Sequence, residues 1–242
     1  MPVMDELSRL LEHPAIWRGV SAARMEVLPT GFRALDERLP GGGWPRTGLI
    51  EILVSRFGIG ELSLLLPALA ALTRRPMARW CLWAVPAFPG SSFSPQTSES
   101  PFPPAQDSVH HCLLEPFAPA LVAHGIALER VLMVRAPVSS PRAHSRGTLW
   151  ALEQSLGSGA CDMAMAWARG PRAREIRRLQ LAAERGRALG VLFRPLRAAT
   201  EASYAILRMK LESAASGLRV TLLKSRGGVR GSVELTLRTS GN

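Results

Sequence analysis

The sequence predicts an α/β fold: a mostly parallel central sheet flanked by helices, with antiparallel strands at its C-terminal end. Three observations carry that prediction. An apolar run at 49–54 passes through a glycine-containing turn at 55–60 into a second, longer apolar run at 61 to about 72, giving strand, turn and helix in succession. Residues 160–167, ACDMAMAW, form a near-continuous apolar strand of the kind buried on both faces of a parallel sheet. Segments 202–211 and 218–224 alternate in the manner of paired antiparallel strands.

Taken in order, residues 4–12 read as a short helix with Leu7, Leu10 and Leu11 on one face, and Asp5 and Glu6 suit its first turn. A connector carrying Trp17 follows, so residues 1–25 form an N-terminal helix and linker ahead of a core at 26–240. Within the core, Thr30 and Gly31 precede a helical turn bearing Phe32, Leu35 and Leu39, and glycines 41 to 43 turn the chain into the first long strand. A second strand at 79–85 ends at Pro86. Residues 88–109, rich in Ser and Pro, then read as a flexible insertion. Helical spacing returns at 113–123, a short strand at 131–134, and a helix at 148–157 with Leu149, Leu152 and Leu156 on one face. The strongest helical pattern is 171–187, with Gly170 at the cap, Pro171 at the first position, and Ala173, Ile176, Leu179 and Ala183 facing inward. A short buried strand at 191–193 precedes the two alternating segments.

The strand–turn–helix at 47–73 has the layout of a phosphate-binding loop but not its chemistry. Such a loop needs G-x-x-x-x-G-K-[ST], with Lys on the β/γ-phosphates and the hydroxyl on Mg²⁺. Begun at Val54, the pattern places Ile59, Gly60 and Glu61 where Gly, Lys and Ser/Thr belong. Begun at Ser55, it places Gly60 correctly but puts Glu61 and Leu62 in the reactive positions. Gly58 and Gly60 keep the loop glycine-bearing, yet neither register supplies a lysine, and a carboxylate at 61 repels a triphosphate.

The 242-residue chain is 47% apolar, enough for a single domain with a real core. Its formal charge of +11 is divided unevenly. Residues 1–121 carry ten Arg against eleven acids, net −1, and residues 122–242 carry twenty Lys and Arg against eight acids, net +12. A basic half suits a polyanion or an acidic protein partner, and equally suits an arginine-biased solvated surface. Arg172, Arg174, Arg178 and Arg185 fall on the outward face of the 171–187 helix as candidate DNA or partner contacts. Cys81, Cys112 and Cys161 are odd in number and two lie in apolar runs, as buried thiols of a reducing compartment do. His110, His111 and Cys112 are adjacent rather than spaced like ligands, so no metal is expected. The most apolar run, 62–72, is too short to span a bilayer and contains Pro67, and the acidic N-terminus is unlike a signal peptide. A cytoplasmic protein without membrane contact is expected.

Several stretches resemble the RecA/RadA recombinase family. Thr30, Gly31, Leu35, Asp36, Leu39 and glycines 41 to 43 match the T-G-x-x-x-L-D-x-x-L-x-G-G signature that precedes the family's phosphate loop, and Glu51 and Ile52 match the lead into it. Lys224, Arg226, Gly228, Gly231, Val233 and Leu235 match its terminal K-x-R-x-G-x-x-G-x-V-x-L. The resemblance implies a RecA-like P-loop NTPase core. It places Asp162 at the family's early acid and Trp167 where the Mg²⁺-linked Walker-B aspartate belongs. With both nucleotide motifs degenerate, no ATP hydrolysis and no cofactor are expected. In the recombinases the terminal basic pair reaches a neighbour's ATP, so Lys224, Arg226 and the nearby Arg230 are candidate contacts, Lys224 and Arg226 toward the nucleotide of an active RecA protomer.

Together with GACDMAMAW and LRRLQLAAERGRALGVLFRP, these features resemble the ImuA family of RecA-like accessory proteins, sometimes described as SulA-like. That resemblance implies a non-catalytic, SOS-induced adaptor of error-prone translesion synthesis. Its implied partners are an ImuB-type inactive Y-family polymerase relative, an error-prone C-family polymerase α subunit and RecA, with direct DNA contact left open. Two other readings stand beside it: a SulA-like inhibitor of cell division acting on the tubulin-like septum protein, and an ATPase with an atypical phosphate loop.

Overall fold

The computed structural model describes residues 26–86, 116–136, 141–215, 217–225 and 231–237. The N-terminal helix expected at 4–12, the 88–109 insertion, the His110–His111–Cys112 run, Arg226 and Arg230 lie outside the described residues. The chain begins with β1 (Val27–Leu28), α1 (Arg33–Asp36) and β2 (Trp44–Pro45), and β1 and β2 pair antiparallel. There follow β3 (Gly48–Val54), a 3₁₀ turn (Glu61–Leu64), α2 (Leu66–Thr73), β4 (Trp80–Pro86), α3 (Ala118–Ala123) and β5 (Val131–Ala136). The second half supplies α4 (Pro141–Gly157), β6 (Cys161–Trp167), α5 (Ala173–Gly186), β7 (Leu189–Pro195), a 3₁₀ turn (Leu196–Thr200), β8 (Leu207–Ala214), β9 (Gly217–Ser225) and β10 (Gly231–Thr236).

Eight strands form one sheet in the order β10-β9-β8-β3-β7-β6-β4-β5. The six from β8 to β5 run parallel, and β9 and β10 add antiparallel pairs at one side. The architecture is therefore α/β with a mostly parallel sheet and antiparallel C-terminal strands, as the three opening patterns predict.

Strand periodicity sorts the core into two layers. Ile50, Ile52, Val54, Met163, Met165, Trp167, Val191 and Phe193 face a cluster completed by Leu64, Leu65, Leu69 and Leu72, so α2 covers that face. Leu49, Ala84, Ala164, Ala166 and Leu192 face the other way, against Leu149, Leu152 and Leu156 of α4 and Ile176, Leu179 and Ala183 of α5. The Met/Ala alternation of β6 is thus an alternation of faces: alanines let α4 and α5 approach on one side, and bulky side chains fill the space under α2 on the other. Each fully buried leucine here contributes roughly 1.5–3 kcal/mol relative to exposure.

The sequence signature at 30–36 is a local clamp. The Thr30 N–H donates to Asp36 Oδ1 at 2.9 Å, and the Phe32 N–H donates to Thr30 Oγ1 at 3.0 Å. Gly31 between them has φ 85°, and a Cβ there would lie 2.5 Å from Pro67 Cβ, so the backbone conformation and the space both call for glycine.

Four expectations are corrected in detail. The helix after the loop does not start at Glu61: residues Glu61–Leu64 form a 3₁₀ turn and the α-helix begins at Leu66. Pro67 explains the break, because its ring excludes the helical turn N-terminal to it and confines it to the first turn. The later helix starts at Ala173, not Pro171, because Glu175 Oε2 accepts the Arg172 N–H at 2.7 Å and makes Arg172 the cap. Ala173 is exposed, and Gln180 takes a buried place in the inward stripe. Finally, the strand expected at 202–211 starts only at Leu207, and residues 201–206 lie outside it. Two carbonyls in this stretch are taken by side chains, Glu201 O by Arg208 Nη1 at 3.0 Å and Ser203 O by Lys224 Nζ at 2.9 Å.

Candidate functional site

The loop after β3 leaves the sheet at its carboxyl edge, where open α/β folds bind ligands. Val54 is buried at the strand end and Ser55 is exposed. Gly58 (φ 86°) and Gly60 (φ 101°) give the loop its left-handed turns. Glu61, only 2% exposed, then folds back on the loop: its Oε1 and Oε2 accept the Gly58 N–H at 2.9 and 3.0 Å. A loop amide that a phosphate oxygen would use is thereby taken by a carboxylate of the same chain.

Trp167 completes the enclosure. Its indole Nε1–H donates to Glu61 Oε1 at 3.3 Å, across 106 residues of sequence. The ring stacks on Phe193 of the intervening strand β7, with centroids 4.7 Å apart and planes 19° from parallel. Phe57, Ile59 and Leu62 pack on the core below, and a Cβ at Gly60 would meet Leu237 Cδ1 at 3.4 Å. No cation pairs with Glu61 among the described residues. The two positions that the sequence assigns to degenerate Walker motifs are thus brought together, sealed by aromatic and aliphatic side chains, with negative charge in place of positive.

The basic positions do not converge. Arg172 and Arg174 are exposed at the start of α5. Arg178 is bonded to Glu153 of α4 through its Nε at 3.0 Å, and that hydrogen bond and charge raise its pKa further. Arg185 lies over the end of α4, where a Cβ at Gly157 would meet its Nη2. Lys224 sits across the sheet at the end of β9.

Two charged clusters escaped the sequence reading. In the first, Glu51 on β3 is fully buried between Arg194 of β7 (Nη1–Oε1, 2.8 Å) and Arg208 of β8 (Nε–Oε2, 2.6 Å). Arg194 also reaches Glu201 at 2.6 Å, and Arg208 Nη2 donates to the Ala198 carbonyl at 2.7 Å, so the pair ties the 196–201 segment to the sheet. Arg194 Nε has no partner in this buried place. The available signal was a lone charge inside each of the apolar strands β3 and β7, whereas Arg208 is one of three charges in β8.

The second cluster lies at the opposite edge, where the strands begin. Asp162, buried at the start of β6, accepts from Arg79 through the backbone N–H (3.0 Å), Nε (3.2 Å) and Nη2 (3.1 Å). Arg46 Nη2 reaches the same Oδ1 at 3.3 Å, and Arg75 Nη1 stands 4.0 Å away. A cleft of about 660 Å³ opens beside them, lined by Glu26, Pro45, Arg46, Thr47, Arg79 and Arg187. Asp162 is therefore an arginine anchor at the sheet's amino edge, remote from the loop.

Among the described residues no three His, Cys, Asp or Glu side chains gather to hold a metal, and no helix is long and apolar enough to cross a membrane. No protein-family model matches the chain, and no curated protein matches it.

Proposed function

We propose that this chain is a non-catalytic, RecA-like accessory protein of SOS-induced, error-prone translesion DNA synthesis. In this reading it is a cytoplasmic adaptor that joins an ImuB-type inactive Y-family polymerase relative and an error-prone C-family polymerase α subunit to RecA. The observation that carries the non-catalytic part is the Glu61 carboxylate on the Gly58 N–H and the Trp167 indole. A bound γ-phosphate needs a lysine and a magnesium-linked acid at those two positions; here they hold an acid and an indole that satisfy each other. The contact also supports the RecA-like register, because the motif resemblance sets residues 61 and 167 at the two motifs and their side chains lie within hydrogen-bond distance. Binding by surface mimicry follows from this: a RecA-like body uses the protomer interface without nucleotide and brings the polymerase to the filament.

The test is affinity capture of the tagged full chain from DNA-damaged cells, with bound proteins identified by mass spectrometry. Recovery of the polymerase-like partners or RecA is the expected result. Recovery of the tubulin-like septum protein in their place would transfer the function to division arrest. A fluorescent ATP analogue is expected to show no Mg²⁺-dependent binding, and micromolar Mg²⁺-dependent affinity would overturn the non-catalytic reading.

A further inference from the structure

The cleft at the amino edge of the sheet gathers more positive charge than the fold needs. Arg79 has a complete structural role: besides Asp162, its Nη1 donates to the carbonyls of Gly159 and Gly186 at 3.0 Å, and its Nη2 to that of Arg187 at 2.7 Å. It caps chain ends left by α4 and α5. Asp162 accepts three bonds from Arg79 and a longer one from Arg46 Nη2 at 3.3 Å, and Arg75 at 4.0 Å makes no hydrogen bond to it. Arg187 lines the same cleft. Arg46, Arg79 and Arg187 thus line the cleft together with Glu26, Arg75 approaches Asp162 next to it, and the side chains of Arg46 and Arg75 remain 21% and 48% exposed.

A second observation is independent of charge. Arg187 has φ 49° and ψ 49°, and it is the one non-glycine residue with positive φ among the described residues. It follows the end of α5, a position where glycine is favoured and any other residue costs on the order of 1 kcal/mol or more. The backbone bonds it makes there, its N–H to Glu184 O and its carbonyl from Arg79, would be available to glycine as well. An arginine therefore stands where the cap favours glycine, and it is one of the residues that line the cleft.

We propose that this cleft binds a phosphate group, held by Arg46, Arg75 and Arg187 around the Asp162–Arg79 anchor. The guanidinium groups come from three segments: the β2–β3 link, the end of α2 and the end of α5. A tetrahedral phosphate offers three terminal oxygens to three forked donors, whereas a second carboxylate offers two in one plane. The volume of the cleft exceeds that of the ion alone, so the phosphate is carried either on a small organic molecule or on a nucleic-acid strand. The site is separate from the loop at Glu61 and does not depend on the adaptor reading.

The test uses the full-length chain, with inorganic phosphate and a short single-stranded oligodeoxynucleotide as separate probes and chloride at matched ionic strength as the control. Binding is followed by calorimetry and by the shift in thermal midpoint. The informative variant is Arg187→Gly, which removes the guanidinium while relieving the backbone, so its unliganded midpoint is expected to equal or exceed that of the parent. Its affinity is expected to fall at least tenfold, as is that of Arg46→Gln. Phosphate binding alone identifies a small phosphorylated ligand, and oligonucleotide binding alone identifies a phosphodiester strand; either, lost in the variants, supports the proposal. Failure of both probes at millimolar concentration, or binding that both variants leave unchanged, overturns it.

Discussion

Where the parallel strands end, Glu61 is sealed under aromatic rings with an amide and an indole for company and no described cation. Where they begin, Asp162 is equally buried but is approached by three arginines beside an open cleft. The contrast separates two uses of a buried acid. At the carboxyl edge the carboxylate is a filler that closes a site. At the amino edge it is an anchor around which surplus positive charge is arranged.

The scale for this comparison is set by Glu51, midway along the sheet, where acid and arginines are fully desolvated. Glu51→Gln leaves Arg208 without its carboxylate and Arg194 with Glu201 alone, and is expected to cost about 3 kcal/mol or more, read by urea unfolding. Asp162→Asn follows at about 2 kcal/mol, less because the arginines around it are partly solvated and can relax. Glu61→Gln is expected to change stability by less than about 1 kcal/mol in either direction, since an amide oxygen still accepts from the loop and an unpaired buried charge is removed. A loss at residue 61 as large as that at residue 162 would break the comparison, because it would mean Glu61 too is held by a cation. The last effect is absent at neutral pH and confined to high pH. Burial, reinforced by the Asp162 and Cys161 charges, raises Cys81 from 9.0 to about 12. The unfolded thiol therefore ionises first, stability is unaffected below about pH 9, and it declines from there toward pH 12. Cys81 should accordingly resist alkylation at pH 8 until the chain is unfolded.

Much of this was legible in the sequence, and the remainder was not for identifiable reasons. Period-two alternation and uninterrupted apolar runs located β3, β4, β6 and β7, because burial on both faces leaves little room for other residues. Pro67 is visible in the sequence, but the continuous apolar run around it masks the break, and the α-helix starts only at Leu66. Gln180 sits on the inward stripe because its Oε1 accepts the buried Leu49 N–H at 2.8 Å, a long-range need that helical spacing cannot reveal. Glu61 and Trp167 were singled out one at a time, and only the fold shows that they meet. The arginine cleft was invisible for the same reason: its arginines come from positions 46, 75, 79 and 187, far apart in the chain, and only the fold gathers them around Asp162.

The bond between Glu61 and Trp167 has a historical consequence on the RecA-like reading. A lysine restored at 61 would sit beneath an indole with no acid to receive it. An aspartate restored at 167 would press a second carboxylate against the first. Each single step back is worse than staying put, so the two changes hold one another in place.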